Sequence, residues 1–178
     1  MYGRDRAGTS GLKQSLTEEH WSFMDGYGDL LIARGPTLTG PDDEDESTGS
    51  LHIIDLPDAE SARRFAYDEP YYRGGVFESV LLYRFHNILG RTMWDFTEAV
   101  DGYDRFLLIT LDSNAPAPAT SKHTIVYGDL LALDDNTRLG WAAAIEAPTP
   151  EHAATLLPDS SHTEIHHWTF GGRPTPRP

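Results

Sequence analysis

His20 is the residue in this sequence best suited to carry a proton. Imidazole titrates near neutral pH, and a carboxylate on one ring nitrogen fixes its tautomer for general acid/base work. His20 stands beside Trp21 and one turn before Met24, at the margin of an apolar helical stripe. A histidine packed at a core margin is the plainer alternative. A second group follows at Asp68, Glu69, Pro70 and Tyr71. Two adjacent carboxylates before a proline could act as a base or bind a substrate. The same residues also suit a helix C-terminal turn that Pro70 enforces and Tyr71 packs against. A third group alternates: His162, Glu164 and His166 fall on one face of an extended strand. They could bind a metal if His52 or His123 completed the set. A metal site needs ligands fixed by surrounding contacts, and the trio reads instead as a polar strand face, so no metal is assigned. Gly74-Gly75 and Gly171-Gly172 lack the strand–glycine loop–helix context of a phosphate site. No Gly-x-Ser-x-Gly is present. With no cysteine there is no thiolate nucleophile, disulfide or cysteine–zinc site.

The elements that must hold these residues follow from local pattern. Ser15-Leu16-Thr17-Glu18 reads as a capping box that opens a helix carrying Trp21, Met24, Tyr27 and Leu31 on one side. Gly35-Pro36 ends that helix or a short strand after it. Five acids in a row, Asp42 to Glu46, repel one another and read as a solvated loop. Ser50 to Leu56 is a predicted strand, and Pro57-Asp58 caps a helix that turns Ala62, Phe65 and Ala66 inward. Val76 to Phe85 alternates as one long strand. Further strands are predicted at 105–111, 124–133, 140–147 and 163–170, with a helix started by Thr149-Pro150.

An internal repeat organises these pieces. Tyr27-Gly28-Asp29-Leu30-Leu31 recurs unchanged as Tyr127-Gly128-Asp129-Leu130-Leu131. Gly49 to Phe65 aligns without a gap on Gly140 to Leu156, and Val80 to Phe85 resembles Ile165 to Phe170. The order implies a degenerate duplication. The predicted class is α+β, with two halves at 1–98 and 104–172, each an antiparallel sheet with helices on one face. The Gly/Pro-rich end, 173–178, is expected to be a loosely ordered tail.

The run Gly49-Ser50-Leu51-His52-Ile53-Ile54-Asp55, then Ala59-Glu60-Ser61-Ala62-Arg63, Glu69-Pro70-Tyr71 and Gly74-Gly75-Val76-Phe77, resembles the YciI-like family. His20 and Gly35-Pro36 match that family's helix histidine and Gly-Pro, and Leu89 to Phe96 is similar to an extension of an actinobacterial-type subgroup. The resemblance covers about residues 3 to 90. It implies ferredoxin-like halves of the kind that dimerise into an α/β barrel, and a pocket with a His–Asp pair. In that pair Asp5 would hold His20. It further implies lyase or isomerase chemistry, or dehalogenation, on small ring compounds. Glu69 stands where the family has aspartate, and only Met1 to Arg4 precede Asp5. Either the first strand begins upstream, or Arg105 to Leu111 takes its place in the sheet. The second copy lacks both the Glu-Pro-Tyr element and the histidine-bearing helix. If the halves pair, one chain would imitate a family dimer.

Charge sets the outer limits. Lys plus Arg number 14 against 28 Asp plus Glu, a net charge of −14. That balance argues against nucleic acid and against an anionic membrane surface. No apolar run nears the roughly 20 residues of a membrane span, and the N-terminus shows no signal-peptide core, so a cytoplasmic protein is expected. The favoured function is a cofactor-independent lyase, dehydratase or isomerase acting on a small ring-bearing metabolite. His20, Asp5 and Glu69 would be catalytic, with Trp21, Tyr27, Tyr71, Tyr72 and Trp94 lining the site. The alternative is a non-catalytic small-molecule-binding or assembly module. An enzyme requires a pocket containing His20; a module would leave His20 exposed, or buried without a cavity. A homodimer is expected because an incomplete first copy would leave sheet edges to cover.

Overall fold

The computed structural model describes residues 1–42, 45–156 and 162–173. Asp43 and Glu44 of the acidic run, and residues 174–178 of the expected tail, lie outside the described residues. The chain begins with β1 (Tyr2–Asp5), the helices α1 (Ser10–Ser15) and α2 (Thr17–Asp25), and the strands β2 (Leu31–Leu38) and β3 (Ser47–Ile54). The helices α3 (Ala59–Asp68) and α4 (Pro70–Arg73) lead to β4 (Phe77–Leu81) and β5 (Arg84–Asn87). Then come β6 (Asp104–Thr110), β7 (Thr124–Leu131), β8 (Arg138–Ala147), α5 (Pro150–Thr155) and β9 (Thr163–Trp168). The strands form one antiparallel sheet in the order β4-β1-β3-β2-β9-β6-β8-β7-β5. The order β4-β1-β3-β2 of the first half is repeated as β9-β6-β8-β7 in the second.

β4 and β5 lie at opposite ends of this order, yet only Leu82 and Tyr83 separate them in the chain. Three peptide steps reach at most about 11 Å. The ends of the sheet must therefore meet, and the sheet closes into a ring with β4 and β5 acting as one interrupted strand. The expected continuous strand from Val76 to Phe85 is broken at that point. Pairing is two-fold related: Thr37 faces Trp168 as Leu130 faces Phe85, and Gly35 faces Leu51 as Gly128 faces Ala142. Of the sequence repeats, Gly49–Phe65 on Gly140–Leu156 agrees with this register. The identical pentapeptides do not occupy equivalent places. Tyr27 to Leu30 form the turn before β2, whereas Tyr127 to Leu131 lie inside β7.

Strand alternation divides the side chains into two layers. Tyr2, Leu51, Ile53, Leu107, Ile109, Ala142 and Trp168 fill the ring from both halves. Tyr71, Val76 and Phe77 pack with Leu16 under the helices of the first half, and Phe106, Trp141 and Ile145 pack with Ala153 of α5. Asp58 caps α3 by accepting the Ser61 N–H at 2.7 Å, and Thr149 caps α5 by accepting the His152 N–H at 3.1 Å. Ser15 is not a cap. α1 already starts at Ser10, behind the turn at Gly8 (φ +79°), so Ser15 ends that helix and its Oγ donates to the Leu12 carbonyl at 2.7 Å. Pro36 lies within β2, where its carbonyl accepts the Thr169 N–H at 3.3 Å and its missing N–H costs little.

The first strand is present: β1 pairs with both β3 and β4, so Arg105 to Leu111 does not replace it. The missing first strand invoked for a homodimer is thus present. No described helix is long and apolar enough to cross a membrane.

Light scattering should accordingly return a particle of about 19.8 kDa; a clean doubled mass would show that ring closure leaves another surface to cover. A Cβ on Gly140 would lie 1.9 Å from the Thr110 carbonyl oxygen, whereas one on Gly11 meets nothing within 4 Å. Gly140→Ala should cost about 1–3 kcal/mol in denaturant unfolding, and Gly11→Ala, within α1, should gain about 0.5–1 kcal/mol.

Candidate active site

His20 reaches the first-half cleft because α2 crosses the outer face of β3. Its backbone N–H bonds the Leu16 carbonyl at 2.9 Å, and its ring stacks on Tyr71 with centroids 4.1 Å apart and planes 10° apart. His20 Nδ1 lies 2.6 Å from Glu69 Oε1. Glu69 is fully buried between α3 and α4. Its other oxygen accepts the Tyr72 N–H at 2.9 Å and so caps α4, with Pro70 at the first helical position. One buried carboxylate therefore ends one helix, starts the next and orients an imidazole on a third. A carboxylate partner on Nδ1 assigns the proton to that nitrogen and leaves the Nε2 lone pair free. Nε2 has no hydrogen-bond partner among the described residues.

Asp5 does not hold His20. Its Oδ2 accepts from Lys13 Nζ at 2.7 Å and from Ser47 Oγ at 2.9 Å, while Oδ1 is buried without a partner. Lys13 also donates to Ser47 Oγ at 2.7 Å, Ser50 Oγ at 3.0 Å and the Gly49 carbonyl at 3.2 Å. Burial pulls the Lys13 ammonium below its ordinary pKa, and Asp5 opposes that shift. Burial likewise raises the Tyr71 phenol. Lys13 was missed from the sequence. It is one of only two lysines, and its place in the helix after Asp5 was the available signal.

The cleft holds about 580 Å³ and is bounded by Lys13, His20, Trp21, Arg34, Ser50 and Tyr71, with residues 169–173 as its far wall. That wall comes from the second half. Thr169 N–H bonds the Pro36 carbonyl, and Gly171 N–H bonds the Arg34 carbonyl at 3.0 Å. Arg173 then clamps α2 through Glu18 and Asp25, each at 2.8 Å, and Ser22 at 3.0 Å, with its guanidinium 5.6 Å from the Trp21 ring centre. Of the aromatic residues expected to line the site, Trp21 and Tyr71 do so. Tyr27 instead packs on Phe23 and Phe65, Tyr72 lies exposed against Tyr67, and Trp94 is exposed outside the cleft. Arg34, Phe170 and Arg173 also border the cleft and were missed; Arg34 comes from β2, and pairing of β2 with β9 brings Phe170 and Arg173. Asp68 lies at the C-terminal end of α3.

The alternating trio is engaged otherwise. Glu164 pairs with Arg4 at 2.6 Å and with His166 Nε2 at 3.0 Å. Among the described residues no group of three or more His, Asp or Glu is placed to hold a metal. A second cavity of about 330 Å³ opens into the ring past Leu51, Leu107, Ile109 and Ala142. His20 of the histidine–carboxylate pair borders the other cleft.

The family model described as YCII-related domain matches residues 1–86. No curated protein matches the chain. Among solved structures, it is similar to 5-chloro-2-hydroxyhydroquinone dehydrochlorinase (TftG) from Burkholderia phenoliruptrix AC1100, in complex with 2,5-dihydroxybenzoquinone. Identity is 27%, over 47% of this chain and 87% of that one, with a TM-score of 0.43.

His52 lies 5.4 Å from His20 between ring centres, and its Nδ1 is buried without a partner. Burial, and secondarily the His20 charge, hold its pKa well below the ordinary 6.5. The unfolded chain therefore binds a proton that the folded chain refuses once pH falls below about 6.5. Stability should decline there by up to about 1.4 kcal/mol per pH unit from this group, and His52→Phe should flatten that slope. Melting curves between pH 7.5 and 5 would check it, and an unchanged slope in the variant would count against His52 as the cause.

Proposed function

We propose that the first half of this chain, a member of the YCII-related family over residues 1–86, is an acid/base enzyme. It moves a proton on a small, ring-bearing metabolite, as lyases, dehydratases and isomerases do. The reading rests on one observation: His20 Nδ1 is held at 2.6 Å by the buried Glu69 carboxylate, at the edge of a roomy cleft. Nε2 takes a proton from the substrate, Glu69 stabilises the imidazolium that results, and the proton is returned elsewhere or a leaving group departs. Glu69 itself is not the base, because it is fully buried and both its oxygens are bonded. Trp21, Tyr71 and Phe170 offer flat apolar walls for a ring. Proton transfer of this kind requires no cofactor. A binding module would leave His20 exposed, or buried without a cavity; a buried His20 on a cleft wall favours the enzyme.

The second half, on this reading, is a degenerate copy that has lost its own site. The pairing register sets Ser50, His52 and Arg34 against Trp141, Ala143 and Tyr127. Three polar residues thus become part of an apolar cluster. The two halves together stand in for a family dimer.

Deuterium exchange into a panel of lactones and cyclic enones, followed by NMR, tests the chemistry. His20→Gln should lower the exchange rate by about 10² to 10⁴. Glu69→Gln should fall between, and Asp5→Asn should stay near wild type. Exchange that survives His20→Gln would refute the dyad.

A further inference from the structure

Charges around the His20 cleft are almost all spoken for. Glu69 is paired with His20, Asp5 with Lys13, and both Glu18 and Asp25 with Arg173. Arg34 is the exception: it borders the cleft and has no carboxylate partner among the described residues. Its guanidinium is nevertheless held in place. Nε donates to the Gly171 carbonyl at 3.2 Å, and Cζ lies 6.0 Å from the Trp94 ring centre. Gly172 gives it room, since a Cβ there would sit 2.5 Å from Arg34 Nη2. The terminal nitrogens remain as donors in a fixed planar fork, the geometry that suits a carboxylate. The second half offers a comparison. The counterpart of Arg34 in the register is Tyr127, which packs against Trp141 at 6.4 Å, so the cation occurs only in the half that carries the histidine pair.

We infer that Arg34 is the anion-recognition group of this cleft, and that its ligand is a ring compound bearing a carboxylate, which Arg34 grips while the ring lies toward His20. The inference takes the cleft as the substrate site but does not depend on turnover. In a protein of net charge −14 an anion is repelled at long range, so a free, preorganised cation is needed to retain one. The second half contributes through Gly171 and Gly172, which fix the fork without neutralising it.

Calorimetric or NMR titration with benzoate and with uncharged benzamide, at low salt, tests this. Wild type should bind benzoate more tightly than benzamide. Arg34→Gln should weaken benzoate by about 10- to 100-fold, the effect of one charge-assisted pair, and leave benzamide unchanged. Arg34→Lys, which keeps the charge but loses the fork, should fall between and guards against a folding defect in the first variant. His20→Gln should retain the benzoate preference, so failure of the acid/base chemistry is separable from failure of anion recognition. Equal binding of the two probes by wild type, or undiminished benzoate binding by Arg34→Gln, would overturn the assignment.

Discussion

A carboxylate shut away from water must be satisfied by protein, and Glu69 meets that demand with two short bonds. One goes to the backbone at the start of α4, the other to His20 on α2. The site geometry follows from this. Capping α4 turns the chain sharply after α3 and brings Tyr71 beneath the imidazole. Pairing with Nδ1 chooses the tautomer. Losing one partner of such a buried pair typically costs about 3–5 kcal/mol, so the group that orients His20 is also structural. An aspartate at this position would be shorter by one methylene, and the cap and the histidine would compete for its reach.

Ring closure is what brings the second half to the site. A four-stranded sheet has two edges, and each edge here is covered by the other half: β2 by β9, and β7 by β5. The pairing runs past β9 to Gly171, which carries Phe170 to the cleft and lets Arg173 lock onto α2. Exposed ion pairs are individually weak. Arg173 nonetheless meets two carboxylates, a hydroxyl and an indole face at once, so the contacts restrain the strap together. The second half, which has no counterpart of the His20–Glu69 pair, thereby forms a wall of the cleft in the first.

Local rules made much of the fold legible. Proline at the start of α5, the Asp58 and Thr149 caps, and strand alternation gave α3, α5 and most of the strands; α1, α4 and β1 were not read, and Pro70, expected to end a helix, in fact starts α4. The aligned stretch from Gly49 to Phe65 agrees with the paired register. The identical pentapeptide misled because a five-residue match carries no information on whether its context is a helix end or a strand interior. At the site, His20, Glu69, Trp21 and Tyr71 were visible as residue types near motifs. The Asp5 partnership was not a property of local pattern. It came from the resemblance, and in this chain Lys13 and Ser47 take that carboxylate. Arg34, Phe170 and Arg173 depend on contacts between residues more than 130 apart, as in the Arg34–Gly171 bond, which no window along the chain samples.

The asymmetry between the halves bears on why one cleft is open and the other closed. Both halves present the same strand order, and both turn alternate residues of the third strand outward. In the first half these are Ser50 and His52, polar and beneath helices that carry Lys13 and His20. In the second they are Trp141 and Ala143, and no helix is present between β6 and β7 to add a polar group. Trp141 is almost wholly buried and meets the Tyr127 ring edge-on at 6.4 Å between centres. Apolar burial yields about 25 cal/mol per Å², so the apolar cluster formed by Tyr127, Trp141 and Ala143 stabilises the ring. The open cleft runs the other way: it keeps His52 and Asp5 Oδ1 buried without partners. Unpaired polar atoms of that kind cost free energy in the absence of a ligand; Trp141 Nε1 carries the same cost in the second half, but there it is enclosed by packed core, whereas His52 lines a cleft open to a ligand.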